Sequence, residues 1–125
     1  MFTTDETIYR VHGLTDIQIQ LAKAFLKGAM YSWLKYHHND ENAVVAVRDL
    51  VGGNWADTPL QDVWLKHKNQ GKNNDEAFTQ AAIDAGWLLK SVLAENTERK
   101  FEVTKSGLTN GYRFVGYVNP KRDYF

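Results

Sequence analysis

Between Ile17 and Trp33 the apolar positions fall on two flanks of one helix. Ile17, Leu21, Ala24, Phe25 and Gly28 form the first, and Ile19, Ala22, Leu26, Ala29, Met30 and Trp33 the second. Two flanks exceed the single stripe that a surface helix needs. The spacing therefore predicts a helix that is central or that buries one side in a second copy of the chain. Thr15 followed three residues later by Gln18 is a capping-box pattern, and the helix should run to about His37. Ala24, Gly28, Ala29 and Ser32 are small enough for close helix contact, so a homodimer through this first helix is expected.

The middle of the chain is less periodic. Ala43–Leu50 is β-branched but flanked by acids and alanines, and it stops at Gly52-Gly53. It reads as helical at its start and irregular after Leu50. Asp57-Thr58-Pro59-Leu60-Gln61 gives a sharper signal, with Thr58 at the N-cap and Pro59 at the first helical position. Leu60, Val63, Trp64 and His67 follow at helical spacing, and Gly71 supplies a stop. The third helix begins near Asn74 or Asp75, with a core stripe of Phe78, Ala82, Ala85, Gly86, Leu89, Val92 and Leu93. After it the period changes from helix to strand. Arg99–Lys105 and Tyr112–Val118 alternate, and the stretch between them holds an Asn-Gly pair. Residues 1–13 read as an irregular lead-in with an extended piece at Ile8–Val11. The fold class is α+β: three main helices followed by a C-terminal antiparallel β-hairpin, in a single domain over residues 1–125.

Charge alters this picture more than composition does. The whole chain has formal net charge zero. Yet residues 99–125 carry Arg99, Lys100, Lys105, Arg113, Lys121 and Arg122 against Glu102 and Asp123 alone. The upstream part holds the compensating acids. Phosphate binding needs Lys and Arg on one face. Arg99, Lys100, Lys105 and Arg113 on the hairpin are the candidates, with Asn110 as a donor at its tip. On the preceding helix, Lys90, Gln80 and Trp87 form a polar flank where a groove-reading surface would lie. Asp84, Glu95 and Glu98 oppose this reading, as does a sequence pI of about 6.9.

Residues 58–118 resemble winged-helix domains, in which a helix-turn-helix leads into two strands joined by a wing. TPLQDVWLKHKNQ would be the first helix of that unit, AAIDAGWLLKSVL the recognition helix, and RKFEVTK and NGYRFVGYV the wing strands. The small cysteine-free chain is also similar in style to proteins carried by phage or integron cassettes. The resemblance implies a DNA-binding or regulatory module from a mobile element, with nucleic acid as partner. The alternatives are a protein–protein adaptor or inhibitor, and a small-ligand pocket protein lined by some of Tyr31, Trp33, Tyr36, Trp55, Trp64 and Trp87.

Other chemistry is thinly represented. The absence of cysteine removes disulfides, thiolate zinc sites and Cys nucleophiles, and fits a cytoplasmic protein. No apolar run is long enough to span a membrane, and Met1–Arg10 does not read as a secretory signal. Ser32, Ser91 and Ser106 lack a nucleophile-elbow context, and Gly52-Gly53 matches no phosphate-loop pattern. His37 and His38 point about 100° apart on a helix and cannot share a metal by themselves. His67 reads as a packed histidine with a hydrogen-bond partner. No catalytic residue, cofactor or metal is expected, and the chain reads as a non-enzyme.

Overall fold

A computed structural model of the chain describes residues 1–106 and 109–119. The elements in order are α1 (Asp16–His37), α2 (Val47–Val51), α3 (Gln61–Lys68), α4 (Asn74–Glu95), β1 (Arg99–Ser106) and β2 (Thr109–Tyr117). The expected α+β class, with three main helices and a closing antiparallel hairpin, is what the structure has; α2 is an added single turn.

Local signals start the two long helices. The Thr15 side chain accepts from the Gln18 N–H at 3.1 Å, and Gln18 Oε1 accepts from the Thr15 N–H at 2.9 Å. Asn73 caps α4 by accepting from the Glu76 N–H at 2.9 Å. At α3 the entry differs from expectation. The Thr58 hydroxyl accepts from the Leu60 N–H and donates to the Trp55 carbonyl, which holds a turn over Thr58–Leu60. Gln61 Oε1 accepts from the Asp57 N–H, so regular helix begins only at Gln61.

Ala22, Leu26, Met30 and Leu34, one helical turn apart, are the buried row of α1. They join Leu60 and Val63 of the α3 region, Leu88, Leu89 and Leu93 of α4, and Phe101 and Tyr112 of the hairpin in one core. The buried row of α4 is Ala77, Ala81, Ala85, Leu88, Leu89, Val92 and Leu93. Its second half matches the expected stripe, while its first half is displaced by one residue. Alanines at 77 and 81 let another element approach closely. Phe78 is thereby turned to the rim, where its ring lies 5.2 Å from that of Trp55.

The segment expected to be helical from Ala43 instead starts extended. Val45 forms an antiparallel bridge with Tyr112, donating to its carbonyl at 2.9 Å and accepting from its N–H at 2.8 Å. Helix follows only from Val47, after the Asp49 carboxylate has accepted from the Ala46 N–H at 2.8 Å. On the other edge of the hairpin, Phe2 bridges Phe101 in parallel: Phe101 N–H donates to Met1 and Thr3 N–H to Phe101. The Met1 ammonium also reaches the carbonyls of Leu93, Asn96 and Arg99. Each hairpin edge is thus paired at one bridge, Phe101 on β1 and Tyr112 on β2. The bridge lies at Phe2, and the extended piece expected at Ile8–Val11 forms no regular strand.

Candidate functional site

Hairpin register decides where the basic candidates point. Phe101 pairs with Phe114 and faces the core, Glu102 pairs with Arg113, and Lys105 pairs with Asn110. A bulge at Val115 restores Lys100 opposite Gly116. Alternation then puts Lys100 on the outer face and Lys105 on the face of Phe101. Five residues at about 3.3 Å each separate them by roughly 17 Å.

The structure does not gather the expected phosphate-binding residues. Lys90 is 5% exposed and Arg99 4% exposed. Lys90 Nζ lies 3.4 Å from Glu6 Oε1 and 5.2 Å from the Trp87 ring centre. Glu6 is held below the usual carboxylate range, first by the Thr4 hydroxyl that donates to it and also by Lys90, with burial opposing. Tyr9 sits edge-on to Trp87 at 4.7 Å, so the lead-in covers the flank of α4 on which Trp87 and Lys90 lie. The Arg99 guanidinium lies 4.7 Å from the Tyr31 ring centre, with Glu98 at 3.4 Å. Arg113 pairs with Glu102 across the strands and donates to the Glu41 carbonyl at 3.3 Å. Lys105 Nζ donates to Asn110 Oδ1 at 3.2 Å, and Gln80 is exposed on α4. Lys121 and Arg122 lie outside the described residues. Partners remote in sequence, Glu6 for Lys90 and Tyr31 for Arg99, explain the dispersal.

Two other surfaces hold together. The first is the outer face of α1. At 100° per residue Ile17, Leu21, Ala24, Gly28 and Lys35 fall within about 60° of one another, opposite the buried row. Ile17 is 72% exposed and Leu21 54%, and Ala24, Gly28 and Ser32 between the helix ends are exposed as well. Half of the expected two-flanked burial is therefore unmet within the chain.

The second is an open cleft of about 410 Å³. Its walls are Trp55, Trp64 and Phe78, with Asn54, Gln61, Asn74 and Asp75 around them. Trp55 and Trp64 are among the pocket residues the sequence suggests; Phe78, part of the expected core stripe of α4, joins them. Gly52 (φ +63°) ends α2 in a conformation open to glycine. The chain then turns so that the Trp55 indole N–H donates to the Gly52 carbonyl at 3.1 Å, which folds Trp55 back onto the core.

A polar network lies between α3 and α4. Asp84 Oδ2 is 2.6 Å from Lys66 Nζ and 2.7 Å from His67 Nε2. Lys72 Nζ is 2.8 Å from His67 Nδ1. An ammonium only donates, so Nδ1 accepts and the Nε2–H donates to Asp84. His67 is 6% exposed, and both of its nitrogens are occupied. This is a packing role. His37 stacks on Trp33, and His38 Nδ1 meets the Leu34 carbonyl at 2.9 Å. Among the described residues no His, Cys, Asp and Glu cluster could hold a metal, and no helix is long and apolar enough to cross a membrane.

Compared with protein-family models, curated proteins and solved structures, the chain matches none.

Proposed function

We propose that the chain is a protein-interaction module that pairs with a second copy of itself through the outer face of α1. The observation that carries this reading is the exposed row Ile17, Leu21, Ala24 and Gly28, directly opposite the helix's buried row. Its shape suits an antiparallel two-fold contact, in which the same patch serves both copies. A two-fold axis near the level of residue 26 sets Ala24 against Gly28 of the second copy, where two backbones cross closely. Leu21 then meets the region of Ser32, and Ile17 the region of Lys35 and Tyr36.

Charge selects the same direction. The first turn of α1 carries Asp16 and its last turn carries Lys35 and His37. Antiparallel pairing brings acid to base, and it opposes the two helix dipoles favourably. Parallel pairing would stack Asp16 on Asp16 and Lys35 on Lys35. Electrostatic complementarity of this kind gives orientation more than affinity.

The affinity follows from size. A 22-residue helix is about 33 Å long, and one of its faces buries less than the ~800 Å² per partner of a standard stable interface. Burying Ile17 and Leu21 contributes on the order of 2 kcal/mol per side chain per copy. The cost of association offsets much of that, so self-association is weak and depends on concentration. Sedimentation velocity from 5 to 500 μM tests it: the wild type should shift reversibly from monomer to dimer, and Leu21→Lys should stay monomeric. A wild type that is monomeric at 500 μM overturns the reading.

A phosphate-binding hairpin is the less supported function. Of its basic candidates, Lys90, Arg99 and Arg113 are engaged with acids, and Lys100 and Lys105 are far apart on opposite faces.

A further inference from the structure

We infer that the aromatic cleft between the Gly53–Ala56 loop, α3 and the first turns of α4 binds the ring of a neutral saccharide. This inference is independent of self-association through α1, because no residue of α1 lines the cleft.

The walls supply flat apolar surface. Trp55 and Phe78 meet at 5.2 Å with their planes 46° apart, and Trp64 of α3 completes the lining. Trp55 is 5% exposed and its indole N–H is already donated to Gly52, so it backs the cleft floor, and the carbon surface open to a ligand is that of Phe78 and Trp64. The cleft's volume lies within the ~300–1,000 Å³ typical of small-ligand sites.

The polar groups then define the ligand. Asn54 Oδ1 accepts from the Ala56 N–H at 3.1 Å, and Gln61 Oε1 accepts from the Asp57 N–H at 3.3 Å. Each amide oxygen is thereby oriented by backbone, which assigns the amide NH2 as the group left to donate. Asp75 supplies an acceptor and is the one charged side chain among the described lining residues. An apolar face ringed by donors and a carboxylate matches a pyranose. Its C–H face stacks on aromatic rings, while each hydroxyl both accepts from an amide and donates to a carboxylate.

Other ligand classes fit less well. A phosphate or carboxylate ligand would meet Asp75 with no lining cation to offset it. An organic cation could use Asp75 and the rings, but it offers no acceptor to the Asn54 and Gln61 amides. A purely apolar ligand would leave all four polar side chains unused.

The rim is set before any ligand arrives. Asp57 holds φ +59°, a left-handed conformation unusual for a residue other than glycine, and Gly52 holds φ +63°. Thr58 ties the turn to Trp55 by donating to its carbonyl at 2.8 Å. A loop held in sparsely populated backbone conformations by its surroundings is a preorganised one, and preorganisation lowers the ordering cost of binding.

The test uses the full chain against an array of neutral glycans. Saturation-transfer NMR and tryptophan fluorescence then follow, with the methyl glycosides of the sugars that score. Saturable binding with a Kd of about 1 mM for a single ring is expected from ligand size. Phe78→Ala and Asp75→Asn should each weaken it tenfold or more, with melting temperatures within a few degrees of wild type. Leu21→Lys should bind as wild type does. The inference is overturned if no neutral glycan binds. It is equally overturned if binding survives both cleft substitutions, or if tetramethylammonium binds through these residues while glycans do not.

Discussion

Replacing Asp84 by Ala removes the hub of the network between α3 and α4. Its Oδ2 accepts from Lys66 Nζ at 2.6 Å and from His67 Nε2 at 2.7 Å. The side chains of Asp84, Lys66 and His67 are 18%, 11% and 8% exposed. Breaking a fully buried charged pair by deleting one member costs about 3–5 kcal/mol, because the other member is left uncompensated. Two features reduce that figure here. The carboxylate retains some contact with water, and Lys66 keeps a second acceptor in the His12 carbonyl at 2.6 Å. His67 has no such alternative, since its other nitrogen already faces Lys72. A loss of about 2–3 kcal/mol follows. For a domain of this size that corresponds to a drop in Tm of roughly 8–12 °C. Urea denaturation and thermal melting followed by circular dichroism measure both quantities. Asp84→Asn preserves one acceptor oxygen and should recover about half of the loss. An Asp84→Ala loss below about 0.5 kcal/mol would refute the reasoning, and so would an Asn variant as unstable as the Ala variant.

Two further outcomes follow. Burial, reinforced by the charge of Glu6, pushes the Tyr112 phenol up to about 12. An absorbance titration should therefore show one of the six tyrosines ionising near pH 12 rather than near 10. The unfolded chain releases that proton above pH 10 while the fold retains it, so stability should fall between pH 10 and 12 by about 2 kcal/mol. Tyr112→Phe should remove this part of the alkaline loss. With Lys100 and Lys105 alone outside ion pairs among the described hairpin candidates, binding to random duplex DNA should be weak, with a log–log salt slope no steeper than about −2. A steeper slope that Lys100→Ala plus Lys105→Ala abolishes would return the hairpin to the centre of the functional reading.

Signals contained within a few residues were legible in the sequence. The Thr15–Gln18 box, the acidic start of α4 and the alternation of β1 and β2 each depend on neighbours in the chain, and each is where the pattern puts it. Errors arose where distant residues decide. Val45 is extended because Tyr112 offers it a backbone bridge, which overrides the helical tendency of Ala43–Val47. Thr58 is a local exception: its hydroxyl bonds Trp55 and Leu60 in a turn that delays regular helix to Gln61. The stripe of α4 is displaced at Phe78 because Ala77 and Ala81 give the closer approach and Trp55 receives the ring. The same logic governs the basic candidates. Composition showed a positive C-terminal part, but the burial of Lys90 depends on Glu6 and that of Arg99 on Tyr31. Arg99 follows an acid and precedes an alternating strand, a context that reads equally well as buried or solvated. The cleft was half legible: Trp55 and Trp64 were candidates, but the place of Phe78 beside them depends on tertiary packing.

Cysteine cross-linking tests the antiparallel contact of α1 most directly, and the chain's lack of native cysteine makes each introduced thiol unique. In that geometry two copies of residue 17 are about 27 Å apart along the helix axis, at 1.5 Å per residue from the two-fold, beyond the reach of a disulfide. The account predicts that Ile17→Cys alone does not cross-link under mild oxidation. Mixed with Lys35→Cys it should form a covalent heterodimer within minutes. Efficient cross-linking of Ile17→Cys to itself, or none in the mixture at protein concentrations above 100 μM, would contradict it.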